Sequence, residues 1–225
     1  VLDPVAFDWD SKGRLWVVEM ADYPSGMDGA GAPGGRVRRL EDRDGDGRYE
    51  TSRLFADGLS FPNGIAVWRD GVVVTAAPQI LFLRDADDDG ACDAREVLLE
   101  GFMEGNQQLR VNGLRLGLDG MLWCASGGHH PGHGTQTVIR SPKAGREYAL
   151  GSHDFRFDPD SGEVWIENGP SQFGRSRDPW GHWFGTQNAT PLWQWVIPEA
   201  AVARNPAVAP EQTIRHVLGA SSPPV

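Results

Sequence analysis

The sequence predicts an all-β chain, a β-propeller of four-stranded blades that is about four blades long and stops before the ring closes. Three observations carry this. A hairpin pattern recurs four times at blade-like spacing, turn residues punctuate the whole chain, and aromatic residues suited to filling a core between short strands are frequent. The 29 Gly and 16 Pro among 225 residues are spread along the chain, which marks turns between strands rather than a disordered tract. Nine Trp add large core area at little entropic cost.

Each copy of the pattern opens on a polar residue or Pro, alternates, turns at a Gly eight or nine residues later and continues as an apolar strand. The first copy runs from Pro4 through Phe7 to Gly13 and Trp16, and the second from Asn63-Gly64 to Gly71 and Val74. The third runs from Asn112-Gly113 to Gly120 and Trp123, and the fourth from Gln172-Phe173-Gly174 to Gly181 and Phe184. These starts lie 59, 49 and 60 residues apart. A second hairpin follows in three copies: Arg36–Leu40 with Ser52–Phe55, Ile80–Leu83 with Glu96–Leu99, and Asp154–Phe157 with Glu163–Ile166. Four strands per repeat at this period indicate propeller blades; a sandwich does not predict the same hairpin chemistry recurring at that spacing. Glu199–Val208 has a trace of helical periodicity too weak to define an element.

The turn of the second hairpin is acidic in two copies. One reads Asp42, Asp44, Asp46, Gly47 and Glu50; the other reads Asp85, Asp87, Asp89, Gly90 and Asp93, followed by Glu96. Carboxylates at positions 1, 3 and 5 converge on one cation when Gly at position 6 allows the sharp turn. Position 9 adds an acid, and Glu96 stands at position 12 of the second loop, where the first has Arg53. The expectation is structural calcium in both loops, the second being the fuller set.

Composition limits the partners. With 21 Lys and Arg against 31 Asp and Glu the net charge is −10, which argues against a nucleic-acid surface and favours divalent cations. Cys92 and Cys124 are the only cysteines, too few for a disulfide framework, and read as packing residues. No apolar run reaches membrane-spanning length, and no signal peptide is present. Both ends are expected to be cuts within a longer protein.

If each first strand starts at the top rim, the acidic loops lie at the bottom and the top collects candidate site residues. These are Glu19, Asp22 and Tyr23; Asn63 and Gln79; Gln107, Gln108, Arg110, Asn112, His129, His130 and His133; and Gln172, Arg175 and Asn188. Carboxylate, amide, guanidinium and imidazole groups around one channel mouth suit a polyhydroxylated or anionic small molecule. Arg110 is the best candidate for holding an anionic cofactor group.

Several segments resemble a known family. Gly13 to Pro24, Phe61 to Gly64, Val74 to Pro78, Gly105 to Gln108, Arg110 to Gly113 and Gln172 to Gly174 are similar to the membrane-bound dehydrogenase domain family of large secreted bacterial proteins. The resemblance covers residues 4 to 197. It implies a six-bladed propeller similar to the glucose and sorbosone dehydrogenases that use pyrroloquinoline quinone (PQQ), located outside the cytoplasm: secreted, periplasmic or on the cell surface. Helical repeats and a haem c module often follow in longer members. The chain departs from the family at Leu109, where many members carry His before the Arg.

Three functions follow as alternatives. In a PQQ-dependent dehydrogenase acting on a sugar or polyol, Arg110, Asn112, Gln108 and Asn63 hold the cofactor, and His129 or His130 accepts the substrate hydroxyl proton. In a metal-dependent lactonase, Asn63 and Asn112 resemble the channel-lining Asn of gluconolactonase-type propellers, with Glu19 as the carboxylate. The third is a non-catalytic propeller that binds a glycan or a protein.

Overall fold

The computed structural model describes residues 1–128, 136–205, 207, 210 and 213–217. Strands dominate, in four antiparallel sheets met in chain order. Sheet 1 contains β1 (Pro4–Trp9), β2 (Leu15–Glu19), β3 (Gly35–Glu41) and β4 (Thr51–Leu59), each paired with the next. Sheet 2 starts with β5 (Gly64–Trp68), β6 (Gly71–Ala76), β7 (Gln79–Arg84) and β8 (Ala94–Glu100). The four-strand repeat read from the pattern is therefore present in both.

The third repeat departs from that pattern. After β9 (Asn112–Leu116) and β10 (Leu122–Ala125) the chain makes an extra hairpin, β11 (Val138–Ser141) and β12 (Arg146–Ala149). This hairpin extends sheet 2 rather than sheet 3, pairing Arg140 with Glu100 on β8 and giving six strands in the order β12-β11-β8-β7-β6-β5. The unpaired edge that β8 would otherwise present is thereby covered. The chain then returns to sheet 3 with β13 (Asp154–Phe157) and β14 (Val164–Glu167). Sheet 4 contains β15 (Arg175–Arg177), β16 (Trp183–Gln187), β17 (Thr190–Trp195) and β18 (Ile214–His216). A five-residue helix, α1 (Glu199–Ala203), precedes β18 within the stretch whose periodicity was too weak to define an element. Among the described residues no helix is long and apolar enough to cross a membrane.

Alternation along the strands builds the cores between sheets. Trp16, Val18, Val37 and Phe55 of sheet 1 meet Ile65, Val72, Val74 and Leu83 of sheet 2. The other face of sheet 2, through Ala66, Val73 and Ile80, packs on Leu114, Leu122, Phe155 and Phe157 of sheet 3. Sheets 3 and 4 meet through Trp123 stacked on Trp183, with ring centroids 4.5 Å apart. Arg175 is buried beside them, its guanidinium 3.9 Å from the Trp195 ring and 3.7 Å from Asp154. Cys124 is buried and Cys92 partly so, both as free thiols.

Candidate functional site

The first strands β1, β5, β9 and β15 stand side by side, and their starts surround a cleft of about 750 Å³. Tyr23, Asn63, Gln107, Gln108, Asn112 and Arg175 contribute to its lining, with Phe7, Arg115 and Phe173 beside them. The opposite end holds the turn at Asp10–Gly13 and both acidic loops, since Tyr49 reaches Gly13 O and Lys12 and Arg14 reach Asp88.

The repeated Gly at the strand starts has a packing cause. A Cβ on Gly64 would lie 3.0 Å from Gly113 N, and one on Gly113 only 2.2 Å from Gly174 Cα. Successive sheets thus touch backbone to backbone at the strand starts. Asn112 fastens one such contact. Its Nδ2 donates to Arg110 O and Gln172 O, both at 2.8 Å, and its Oδ1 accepts from Gly174 N at 2.6 Å. All its polar atoms are engaged within the protein. Asn63 differs, because its Oδ1 accepts from Thr75 Oγ1 at 2.8 Å while Nδ2 has no partner among the described residues.

Two loops meet above the cleft. Asn106 caps a 3-10 turn over Gln107–Leu109 by accepting from Gln108 N. From that turn Gln107 Nε2 donates to Pro24 O at 2.8 Å and Gln108 Nε2 to Tyr23 Oη at 3.2 Å. Arg110 lies beneath, 6 % exposed and outside the cleft lining. It donates to Glu104 O, its guanidinium stacks 4.6 Å from the Phe61 ring, and burial pushes its pKa down. Asp22 is fully buried and accepts from Phe61 N and Gly34 N. Glu19 is buried as well, accepting from Leu2 N at 2.7 Å and Arg38 Nε at 2.9 Å. Gln172 is buried and Gln79 pairs with Glu100. His129, His130 and His133 lie outside the described residues.

Arg115 is the cleft residue the pattern analysis did not single out. It is exposed on β9, lines the cleft and a second one of about 710 Å³ toward the other end, and forms no ion pair among the described residues. Its position two residues beyond Gly113 on a first strand was the available signal.

The acidic loops share one hydrogen-bond scheme. Position 1 accepts from the N–H of position 6 (Asp42 from Gly47, Asp85 from Gly90), and position 9 accepts from that of position 2 (Glu50 from Arg43, Asp93 from Ala86). In the first loop ligand atoms of Asp42, Asp44, Asp46 and Glu50 lie within 4.8 Å of one another. In the second only Asp85, Asp87 and Asp89 do so. Asp93 is turned to Ala86, and Glu96 sits on β8, its carboxylate 3.6 Å from Lys143 Nζ. The first loop, not the second, is therefore the fuller cluster, because at position 9 the Glu50 carboxylate joins it while Asp93 does not, and Glu96 at position 12 falls within a paired strand. The second also holds cations of the protein's own. Arg39 Nη1 lies 2.6 Å from Asp85 Oδ2, while Lys12 and Arg14 hold the Asp88 carboxyl down at a pKa of about 2.

Solved structures share this architecture. An oxidoreductase (glucose dehydrogenase) from Thermus thermophilus is 19 % identical with a TM-score of 0.57, covering 88 % of this chain and 62 % of its own. The holo pyranose dehydrogenase PQQ domain from Coprinopsis cinerea is 12 % identical with a TM-score of 0.54, covering 84 % and 44 %. A calcium-binding protein, regucalcin, from Agrobacterium tumefaciens is 13 % identical with a TM-score of 0.50, covering 92 % and 58 %. At these identities the likeness establishes the propeller-type fold alone, and the chain spans less than two thirds of each structure. No curated protein matches the chain. The model described as Domain of unknown function (DUF7133) matches residues 1–225, and the chain belongs to that family.

Proposed function

We propose that this chain forms part of a PQQ-dependent dehydrogenase that oxidises a sugar or polyol outside the cytoplasm, with the ligands bound in the cleft at the first-strand starts. The lining of that cleft carries the reading. Exposed rings of Tyr23, Phe7 and Phe173 stand around the amides of Asn63, Gln107 and Gln108 and around Arg115, a cation with no ion pair among the described residues. Aromatic faces with a guanidinium suit a flat polyanionic quinone, and the Asn63 amide N–H groups and the side-chain carbonyls of Gln107 and Gln108 suit hydroxyls. The bound quinone would supply the acceptor for a hydride from the substrate carbon. Arg115 would oppose a cofactor carboxylate and Asn63 Nδ2 would orient a hydroxyl, while Arg110 would position the Gln107–Leu109 turn from below. His129 or His130 is proposed to take the hydroxyl proton.

A metal-dependent lactonase at the same mouth is less well supported. Both amide protons of Asn112 and one acceptor site of its oxygen are taken up within the protein, and Glu19 is buried, paired with Arg38 and not part of the cleft lining. Calcium is proposed as structural, at the 42–50 loop above all, where four carboxylates offer the hard oxygen donors it requires.

The test is a titration of the full-length protein with PQQ in the presence of calcium, followed by dye reduction with a panel of sugars and polyols. Binding with sugar-dependent reduction supports the reading, and Arg115→Gln should then weaken PQQ by about tenfold, as loss of one charge-assisted hydrogen bond. No binding at saturating calcium would sink it.

A further inference from the structure

Three buried residues from three separate segments converge behind the polar lining of the cleft. Asp22 precedes Tyr23 in the loop after β2, Phe61 lies two residues before Asn63, and Arg110 lies two residues after Gln108. Tyr23, Asn63 and Gln108 line the cleft, whereas the three buried residues do not. Phe61 is where they meet. Its N–H donates to Asp22 Oδ2 at 2.7 Å, and the Arg110 guanidinium lies 4.6 Å from its ring. Its φ of +42° lies in the left-handed region, which a bulky side chain rarely adopts, so its neighbours must hold it there.

Asp22 also closes its own loop. Its Oδ2 accepts from Gly34 N at 3.2 Å, and its backbone carbonyl accepts from Gly26 N at 2.7 Å. Gly35, at the end of that loop, sits on the residue after Phe61: a Cβ there would lie 2.1 Å from Pro62 Cδ. What these bonds leave over is charge. Asp22 Oδ1 and Arg110 Nε and Nη1 are buried with no hydrogen-bond partner among the described residues. A lone buried charge of either sign is costly, while opposite charges in one low-dielectric region offset each other without touching. Burial pushes the Arg110 pKa down, and the Glu104 and Asp22 carboxylates act against that. Glu104 is exposed, where water and salt screen it, so Asp22 is the counter-charge inside the protein.

We propose that Asp22 and Arg110 act across Phe61 as one buried charge couple, and that Asp22 is a positioning residue for Tyr23, Asn63 and Gln108 at the cleft. The inference rests on the cleft being the binding site proposed above, though not on what it binds. Asp22 fixes the loop that carries Tyr23, Phe61 fixes the approach to Asn63, and Arg110 fixes the Gln107–Leu109 turn. The bonds from Gln107 to Pro24 O and from Gln108 to Tyr23 Oη then join the two loops above the cleft.

Hydrogen exchange of the full-length protein, read by mass spectrometry, tests this with Asp22→Asn, Arg110→Met and the double variant. Asn keeps an oxygen for Phe61 N and Gly34 N, and Met keeps an apolar chain against the Phe61 ring, so each removes charge with little change of shape. Asp22→Asn should speed exchange at 105–109, a segment it does not hydrogen-bond, by about tenfold, and Arg110→Met should do so at 23–34. Adding Asp22→Asn to Arg110→Met should slow exchange again, because no charge is then left alone, and Arg110→Lys should stay close to the wild type. Exchange in β10 should not change in any of them. PQQ affinity, titrated in parallel, should fall in each single variant and recover in part in the double. A double variant that exchanges faster than either single would overturn the couple, as would a 105–109 segment indifferent to Asp22→Asn. Faster exchange with unchanged PQQ affinity would overturn the positioning role. A wild type that does not bind PQQ would sink the cofactor reading instead, and the exchange pattern alone would then decide the couple.

Discussion

Adding one methyl group at Gly113 tests whether the sheets meet as tightly as the cleft geometry requires. Gly113 has φ of +71°, where an L side chain is strained, and its Cβ would lie 2.2 Å from Gly174 Cα. Carbon atoms prefer about 3.5–4 Å, so sheets 3 and 4 would have to part by more than about 1 Å at this point. Gly120 is the control, in the same repeat with φ of +76° and nothing within 4 Å of a Cβ. Gly120→Ala therefore carries only the left-handed backbone cost, about 1–2 kcal/mol. Gly113→Ala carries that cost, an overpacking cost of about 1–3 kcal/mol, and strain on the Asn112 bonds to Gln172 O and Gly174 N, each worth about 1 kcal/mol. The expected losses are about 1–2 kcal/mol for Gly120→Ala and about 3–5 kcal/mol for Gly113→Ala. Urea unfolding followed by Trp fluorescence reads both, provided the slopes agree. Equal midpoints for the two variants would refute a backbone contact between β9 and the start of β15.

Three further outcomes are expected. Arg175→Met should cost about 3–5 kcal/mol in thermal unfolding, because it strips the counter-charge from the fully buried Asp154, and adding Asp154→Asn should recover part of it. Lys12 and Arg14 depress Asp88 from 3.8 to about 2, so its contribution is whole above about pH 4 and lost as pH falls from about 4 to about 2. Asp88→Asn should flatten the fall in urea midpoint over that window, and an unchanged slope would count against the contact. Calcium should raise the melting temperature, and Asp44→Asn with Asp46→Asn should abolish more of that rise than Asp87→Asn with Asp89→Asn, since Arg39 already balances Asp85.

The strands were legible because alternation and Gly turns are local signals. The second hairpins of sheets 1 to 3 fall within a few residues of where the pattern placed them. The β11–β12 hairpin was hidden because its partner, β8, lies about 40 residues away and one repeat back. The 60-residue gap between the third and fourth copies did not reveal it, because the 59-residue gap between the first two holds no extra hairpin. Strand parity placed the acidic loops and the first turns at one end, where Lys12 and Asp88 meet. It did not fix Arg110, which precedes β9 in a turn where no two-residue period holds. There burial under Phe61 decides its direction. Arg115 lies inside the strand, two residues past the Gly that drew attention.

The two Asn-Gly pairs show why a repeated motif is weak testimony about chemistry. Asn63 and Asn112 occupy the same place in successive sheets, and both line the cleft. Asn112 must satisfy the carbonyls of Arg110 and Gln172 and the N–H of Gly174, because sheet 4 arrives there with its backbone unpaired. Beside Asn63 it is Gly64 that meets Gly113, itself within a strand, and only Thr75 draws on the Asn63 side chain among the described residues. The same residue is consumed by packing in one sheet and left with a donor to offer in the other. What separates them is the next sheet's backbone. Any reading of this mouth as a binding site therefore rests on Asn63, Gln107, Gln108 and Arg115 more than on the motif that first marked it.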